Sequence, residues 1–403
     1  QLRNQGFNTR VTEKKNRWIP TKPNREGRTT GGLNSKFWEV NRRFPFFLIF
    51  CFQSFFLSAQ TVSHSIYLIG DAGKDTLPGP ALQMLEGELK TNPESSVFFL
   101  GDNIYPAGLE GKDGNKKKRL SELKLLAQLE RTEGHTGYVF WVPGNHDWKA
   151  GRWQGHWLVQ KEAEFVENYY QQNRTIKNDS GHVFIPKDGL PGPVLESVPE
   201  HGYNVIAIDV QWWLQDQFFH KVPTEGGMNK RRMEERFLER LDSLLAQSTR
   251  AHKVTIIAAH HLMYSNGHHG AAKQPLRFIF NWVPPFQLFG LMGLNRALVQ
   301  DIPQPRYKRI RNKILKVLNK YEGLIYVSGH DHNLQYIKKE NVHYLVSGAG
   351  SKRSSLSGDK NGAKFMDDKN YGFMRLDIYD DGKIQCNVFG HTKGGIIHSF
   401  WLN

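Results

Sequence analysis

Cysteine is almost missing from this chain, with two residues in 403, Cys51 and Cys386. A framework of internal disulfides is therefore excluded as the source of its stability. Also missing is any apolar run approaching the roughly 20 residues that cross a bilayer as a helix. No methionine precedes Met84, so Gln1 is not expected to be the initiator. Residues 1–43 read as a basic, disordered extension, either spurious or the start of a fragment.

What is present is globular: 39% of residues are apolar, 12% aromatic and 23% charged. That balance excludes wholesale disorder and a fibrous architecture. The formal charge of +15 invites a nucleic-acid reading, but eleven Lys/Arg against three Glu place +8 of it in residues 1–44. The remaining 359 residues carry +7, so no nucleic-acid partner is expected.

After Asn41-Arg42-Arg43 comes an apolar stretch from Phe44 to Leu57, then Ser58-Ala59-Gln60. A basic flank, an apolar core and small residues behind it outline a secretory signal peptide, expected over 44–60. An ordinary buried segment is the alternative, and cleavage after Ala59 would leave an imperfect Leu57 three residues before the cut. On the first reading the chain is exported, to a periplasm, a cell surface or the medium. Cys51 then departs and Cys386 has no internal partner. Residues 61–403 are expected to form one catalytic domain.

From Ser65 onward one unit recurs: four to six β-branched or aromatic residues, then a polar cluster. The runs are 66–69, 97–100, 138–142, 205–208, 254–259, 324–327 and 344–346, patterned as strands buried on both faces. Helical spacing fills residues 81–91, 120–131, 156–172, 229–247 and 308–320. The alternation predicts an α/β sandwich. The end of the chain, Gly372 to Leu402, alternates like strands and is expected to complete the second sheet.

The polar clusters carry the chemistry. They are Gly70-Asp71, Gly101-Asp102-Asn103-Ile104-Tyr105, Gly144-Asn145-His146-Asp147, His260-His261 and Gly329-His330-Asp331-His332. Each follows a predicted strand, so together they should converge on one edge of the sandwich. Oxygen and imidazole donors of this kind suit a pair of di- or trivalent metals. Two cations about 3.5–4 Å apart need a shared carboxylate against their repulsion, and Asp102 is the bridging candidate. A glycine before an acidic or His ligand is expected to let the backbone turn sharply where the strand ends. A lone Gly-Asp is usually only a turn; five such clusters in this order are not.

The order and wording resemble the calcineurin-like metallophosphoesterases, and within them the small, tartrate-resistant type of purple acid phosphatase. Gly329-His330-Asp331-His332-Asn333-Leu334-Gln335-Tyr336 and Ser347-Gly348-Ala349-Gly350 match that type nearly residue for residue. The likeness spans roughly residues 64–352 apart from an insertion, and is thin between motifs. It implies a four-layer α-β-β-α sandwich of two mixed sheets flanked by helices. Most metallophosphoesterases begin Asp-x-His, but here Gly73 stands two after Asp71. Tyr105, three after Asp102, supplies the replacement ligand in purple acid phosphatases. A phenol with a pKa of about 10 ligates as phenolate only to a strongly Lewis-acidic ion, which favours ferric iron.

The resemblance implies that Asp71, Asp102, Tyr105 and His332 hold Fe(III). It gives Asp102, Asn145, His260 and His330 to a divalent Fe, Zn or Mn. His146 would reach the substrate phosphate, with Asp147 orienting its ring. A second phosphate-facing histidine lies nine residues after the metal histidine, which selects His269; His268 and His261 are neighbours open to confusion with these roles. The implied function is acid phosphomonoester hydrolysis, a metal-bound hydroxide attacking phosphorus in line. The alternatives are a phosphodiesterase acting on cyclic nucleotides or lipid head groups, a non-catalytic scaffold and a nucleic-acid-binding module.

Lys273 to Pro305 is an aromatic-rich insertion relative to those phosphatases: a lid, a substrate wall, an apolar hairpin or a membrane-surface contact. The runs Lys116–Arg119 and Lys230–Arg232 read as solvated faces. Asn173 and Asn178 head glycosylation sequons.

Overall fold

The computed structural model describes residues 60–402 apart from residue 113 and residues 216–223 and 271–299. The expected extension, all but the last residue of the expected signal segment and most of the insertion lie outside the described residues.

Alternate residues along each central strand face different partners, and this alternation builds the layers. Strands β1 (Val62–Ile69), β2 (Ser96–Phe99) and β3 (Val139–Trp141) run parallel. On the other side of β1, strands β11 (Gly372–Tyr379), β12 (Ile384–Gly390) and β13 (Gly395–Trp401) continue the same sheet antiparallel. The C-terminal strands thus complete the first sheet, correcting the expectation that they belong to the second. Six of the eight β1 residues are buried, so an open edge there would leave backbone groups without partners, and β11 supplies them.

The second sheet contains β4 (Val194–Val198), β5 (Tyr203–Ala207), β6 (Val254–Ala258), β7 (Leu324–Ser328), β8 (Leu334–Lys339), β9 (Val342–Ser347) and β10 (Ala363–Asp367). They lie in the order β10-β8-β9-β7-β6-β5-β4, and β5, β6, β7 and β9 are parallel. Between the sheets pack Ile66, Leu68 and Phe98 from the first and Val205, Ile256 and Val327 from the second. Their neighbours Tyr67, Ile69, Phe99, Ile206, Ile257 and Tyr326 belong to the outer core, packed against helices.

Those helices are α1 (Pro80–Thr91), α2 (Lys116–Leu129), α3 (Gly155–Asn173), the short α4 (Gln211–Leu214), α5 (Lys230–Arg250) and α6 (Pro305–Leu318). Helix α1 starts on Pro80, whose missing N–H costs nothing in the first turn, and buries Leu82, Leu85 and Leu89. Helix α5 is capped by Asn229, whose side chain accepts from Arg232 N at 2.9 Å, and buries Met233, Phe237, Leu241 and Leu245. The result is the expected four-layer sandwich of two mixed sheets between helices. No described helix is long and apolar enough to cross a membrane. Of the two sequons, Asn178 is buried with Nδ2 donating to Val139 O at 2.9 Å, so only Asn173 presents an exposed side chain.

At the edge opposite the strand C-termini, two histidines are buried without charge. His64 contacts Ser96 Oγ at 2.9 Å and stacks on His201 at 3.7 Å; burial, then His201, lowers its pKa to about 3. His135 contacts Ser95 O at 2.8 Å and Arg174 at 3.1 Å; burial, then Arg174, lowers it to about 3 as well. Folded pKa values below the unfolded 6.5 mean that this stability is full above pH 6.5 and falls as the pH drops toward 3. The cost is about 1.4 kcal/mol per pH unit for each group. Urea midpoints should therefore fall steadily between pH 6.5 and 4.5, and the variant carrying His64→Gln and His135→Gln should show a clearly flatter dependence.

Candidate metal centre

The five polar clusters all begin at strand C-termini, after β1, β2, β3, β6 and β7, and the two sheets bring them to one edge. Three candidate ligands leave their strands in the left-handed region: Asp71 at φ 57°, Asp102 at φ 55° and His330 at φ 72°. Such backbone costs about 1 kcal/mol or more per residue and persists where the surroundings over-determine it. This revises the role assigned to the glycines. Of those preceding ligands, only Gly101 has positive φ, at 85°. The others are glycine because a Cβ has no room: at Gly144 it would lie 2.2 Å from Asp102 N, and at Gly329 2.5 Å from Asp71 Oδ2. Ser347-Gly348-Ala349-Gly350 ties the two sheets together here. Gly70 N donates to Ser347 O at 2.8 Å and Gly350 N to Gly70 O at 3.1 Å.

Two groups of donor atoms meet around Asp102. In the first, Tyr105 Oη is 2.7 Å from Asp71 Oδ1 and 3.0 Å from His332 Nε2. Single ligand atoms of Asp71, Asp102 and His332 all lie within 4.8 Å of one another. In the second, Asn145 Oδ1 is 3.0 Å from His260 Nε2 and 2.8 Å from His330 Nδ1. These two nitrogens are 3.1 Å apart, and His260 Nε2 is 3.3 Å from Asp102 Oδ1.

Tautomers decide what the second group can hold. His260 Nδ1 is 2.8 Å from Leu100 O, and His330 Nε2 is 3.0 Å from Gln300 O. A carbonyl only accepts, so those nitrogens carry the protons, and the facing nitrogens are bare lone pairs. Two bare imidazole nitrogens, an amide oxygen and a carboxylate oxygen then face one another with no proton between them. A cation held among them would reconcile such a set.

The electrostatics of the first group point the same way. Burial, then Asp102, pushes the Asp71 carboxyl well up. Burial, then Asp102 and Asp71, pushes the Tyr105 phenol well up. Burial, then Lys352, takes His332 down to about 2. At Asp102 burial acts upward but His260 and His146 outweigh it, holding the carboxyl below its usual range. Ionised Asp71 and phenolate Tyr105 beside Asp102 call for more positive charge than Lys352 alone brings, which a bound cation would supply. The residues present fit a metal pair.

His146 and His269 lie at the mouth of this site. The Tyr105 and His146 rings are 4.3 Å apart, and His269 stacks on His330 at 4.0 Å. One histidine thus borders each group of donors. The expected orienting role of Asp147 does not hold: its carboxylate points inward and accepts from Gly144 N at 2.7 Å and Ile104 N at 2.9 Å. The His146 ring is held instead by Pro106 O, 2.6 Å from Nδ1. Asp147 shapes the loop because these N–H groups outcompete a ring for a buried carboxylate. His261, the suggested neighbour, is buried behind the site on Gln300 Oε1 at 2.9 Å.

Sequence reasoning missed three contributors. Lys352 Nζ sits 4.1 Å from the Tyr105 ring centroid, in a stretch with no motif of its own. Gln300 and Asp301 lie inside the stretch read as an insertion and were given no role of their own, yet they are 2% and 1% exposed and contact the site histidines.

A carboxylate shared by two donor groups at the strand ends of a two-sheet sandwich is the arrangement that a dinuclear metallohydrolase site would need. The chain belongs to the calcineurin-like phosphoesterase family, which it matches over residues 65–334. Among curated proteins it is similar to glideosome-associated protein 50 of Plasmodium falciparum, 29% identical over 90 residues. That match spans 22% of this chain and 22% of the relative. Among solved structures it is similar to GAP50, described as the anchor in the inner membrane complex of Plasmodium. There the TM-score is 0.51 and the identity 19%, over 85% of this chain and 89% of that one. A purple acid phosphatase from yellow lupin (Lupinus luteus) seeds also has a TM-score of 0.51, with 15% identity over 85% of this chain and 54% of that one. At these identities the structures speak to fold alone.

Proposed function

We propose that this chain hydrolyses phosphoric monoesters at acidic pH, with Asp71, Asp102, Tyr105 and His332 holding Fe(III). Asp102, Asn145, His260 and His330 hold a divalent Fe, Zn or Mn. The observation that carries the reading is the pair of donor groups sharing Asp102, one containing a phenol and the other only neutral donors besides that carboxylate. That asymmetry suits one trivalent and one divalent ion. When bound, the pair supplies an activated water at low pH and neutralises charge on the phosphoryl group.

The chain's own side chains do the rest. His146 and His269 border the mouth and donate to equatorial phosphoryl oxygens as negative charge gathers there. One of them, or a water, returns a proton to the departing alkoxide, which balances the proton lost by the attacking water. Para-nitrophenyl phosphate should be turned over with kcat/KM at least about ten times that of the bis(para-nitrophenyl) diester, fastest below pH 6.5. Preference for the diester would move the assignment to a phosphodiesterase.

An anchoring role is the second reading, favoured by the likeness to a protein described as an anchor. It predicts no ester turnover even with both metals loaded. Export is proposed from the basic and apolar N-terminal stretch. A membrane-surface contact through the insertion remains a proposal on residues outside the described ones.

A further inference from the structure

The segment that ends the insertion is built into the site. Gln300 and Asp301 resume the described chain directly after residues 271–299, and each holds a different ring. Gln300 O is 3.0 Å from His330 Nε2, and Asp301 Oδ1 is 2.7 Å from His269 Nδ1. Backbone bonds lock the arrangement: Ile302 N donates to His269 O at 3.0 Å, and His269 N to Asp331 Oδ1 at 3.0 Å. The carboxylate of Asp301 is 1% exposed, whereas His269 is only partly covered.

We propose that Asp301 is a positioning residue for catalysis, fixing His269 in the tautomer and orientation that present Nε2 to the substrate phosphoryl group. The inference deepens the phosphoesterase reading and rests on it. An ionised carboxylate only accepts, so Asp301 requires the proton on His269 Nδ1. Nε2 is then the ring atom left for substrate, and it donates to a phosphoryl oxygen once it too carries a proton. The ring cannot swing away, because it stacks on His330 at 4.0 Å with 23° between the planes. His330 is itself oriented by the preceding residue, so one dipeptide sets both a metal-facing and a phosphate-facing imidazole. A carboxylate behind a histidine acts in this manner wherever a ring must be held in one tautomer through a reaction.

The test is a double-mutant cycle in the metal-loaded full chain. Asp301→Ala should lower kcat by about 10- to 100-fold with KM and bound metal nearly unchanged. In a His269→Ala background the same change should cost less than about twofold, because the group being positioned is already gone. Asp301→Asn keeps an accepting oxygen and should fall between the two; it also serves if the alanine variant fails to fold. Full kcat in Asp301→Ala would overturn the proposal. So would an equal loss with and without His269, which marks a purely structural role. A readout independent of turnover separates this from failure of the phosphoesterase reading. In zinc-loaded protein, ¹⁵N shifts should show His269 protonated on Nδ1, and Asp301→Ala should mix the tautomers. If wild type hydrolyses no ester, that spectrum alone decides, and an unchanged spectrum overturns the positioning role.

Discussion

Asp102→Asn is expected to lower ester turnover at least about 1,000-fold and to reduce bound metal from two ions per chain to one or none. Among the described residues, Asp102 is the one carboxylate that touches both donor groups: its oxygen lies 3.3 Å from His260 Nε2, and it shares the compact cluster with Asp71 and His332. An amide in its place keeps the shape and the bond from His146 N, 2.8 Å from Oδ1, but removes the negative charge between two cations. The fold should survive, because Asn accepts that N–H as well as Asp does. Metal analysis and turnover on one sample settle the point, and undiminished turnover would remove Asp102 from the centre.

Tyr105→Phe is expected to bleach the protein. A phenolate on ferric iron absorbs visible light, and aerobically purified protein should be purple or pink, with a band that shifts on mild reduction. Tyr105 is 6% exposed and its oxygen is wedged between Asp71 Oδ1 and His332 Nε2, so the variant loses one ligand atom and little packing. Colourless variant protein that still binds the divalent ion would assign the band to this residue. Colourless wild type with full iron loading would refute the ligation. Wild type that is colourless and iron-free, yet active with Mn²⁺ or Zn²⁺, would keep the phosphoesterase and remove the ferric site.

Most of the architecture was legible because buried parallel strands announce themselves. The runs ending at Ile69, Leu100 and Val142 are short, apolar and punctuated by glycine, and five stretches of helical spacing became α1, α2, α3, α5 and α6. Less legible were β4 and β10, which are partly exposed and carry no continuous apolar run. Strand β8 begins two residues after His332, inside what reads as a motif. The donor atoms were legible because their residue types and order are informative in sequence. Their orientation was not: Asp147 stands beside His146 in sequence yet turns inward, whereas Asp301, 32 residues from His269, is brought onto its ring only by the fold. The left-handed backbone at Asp71, Asp102 and His330 was equally hidden, since glycine stood next to each and offered an easier explanation.

The crowding around Gly144, Gly329 and Gly348 bears on how such a protein can change over evolutionary time. A Cβ at Gly348 would lie 2.3 Å from Asp331 O, in contact with backbone that cannot yield. Gly144 and Gly348 are demanded by neighbouring backbone, Asp102 N at 2.2 Å and Asp331 O at 2.3 Å, whatever the site does, whereas Gly329 is crowded first by the Asp71 carboxylate at 2.5 Å. The ligand side chains are demanded only by chemistry, and the strained backbone beneath them would be relieved if Asp71 or Asp102 drifted to glycine or asparagine. A descendant released from catalysis should therefore keep Gly144 and Gly348 and lose its ligands first. This chain carries both, with Asp71 held at φ 57° and Asp102 at φ 55°.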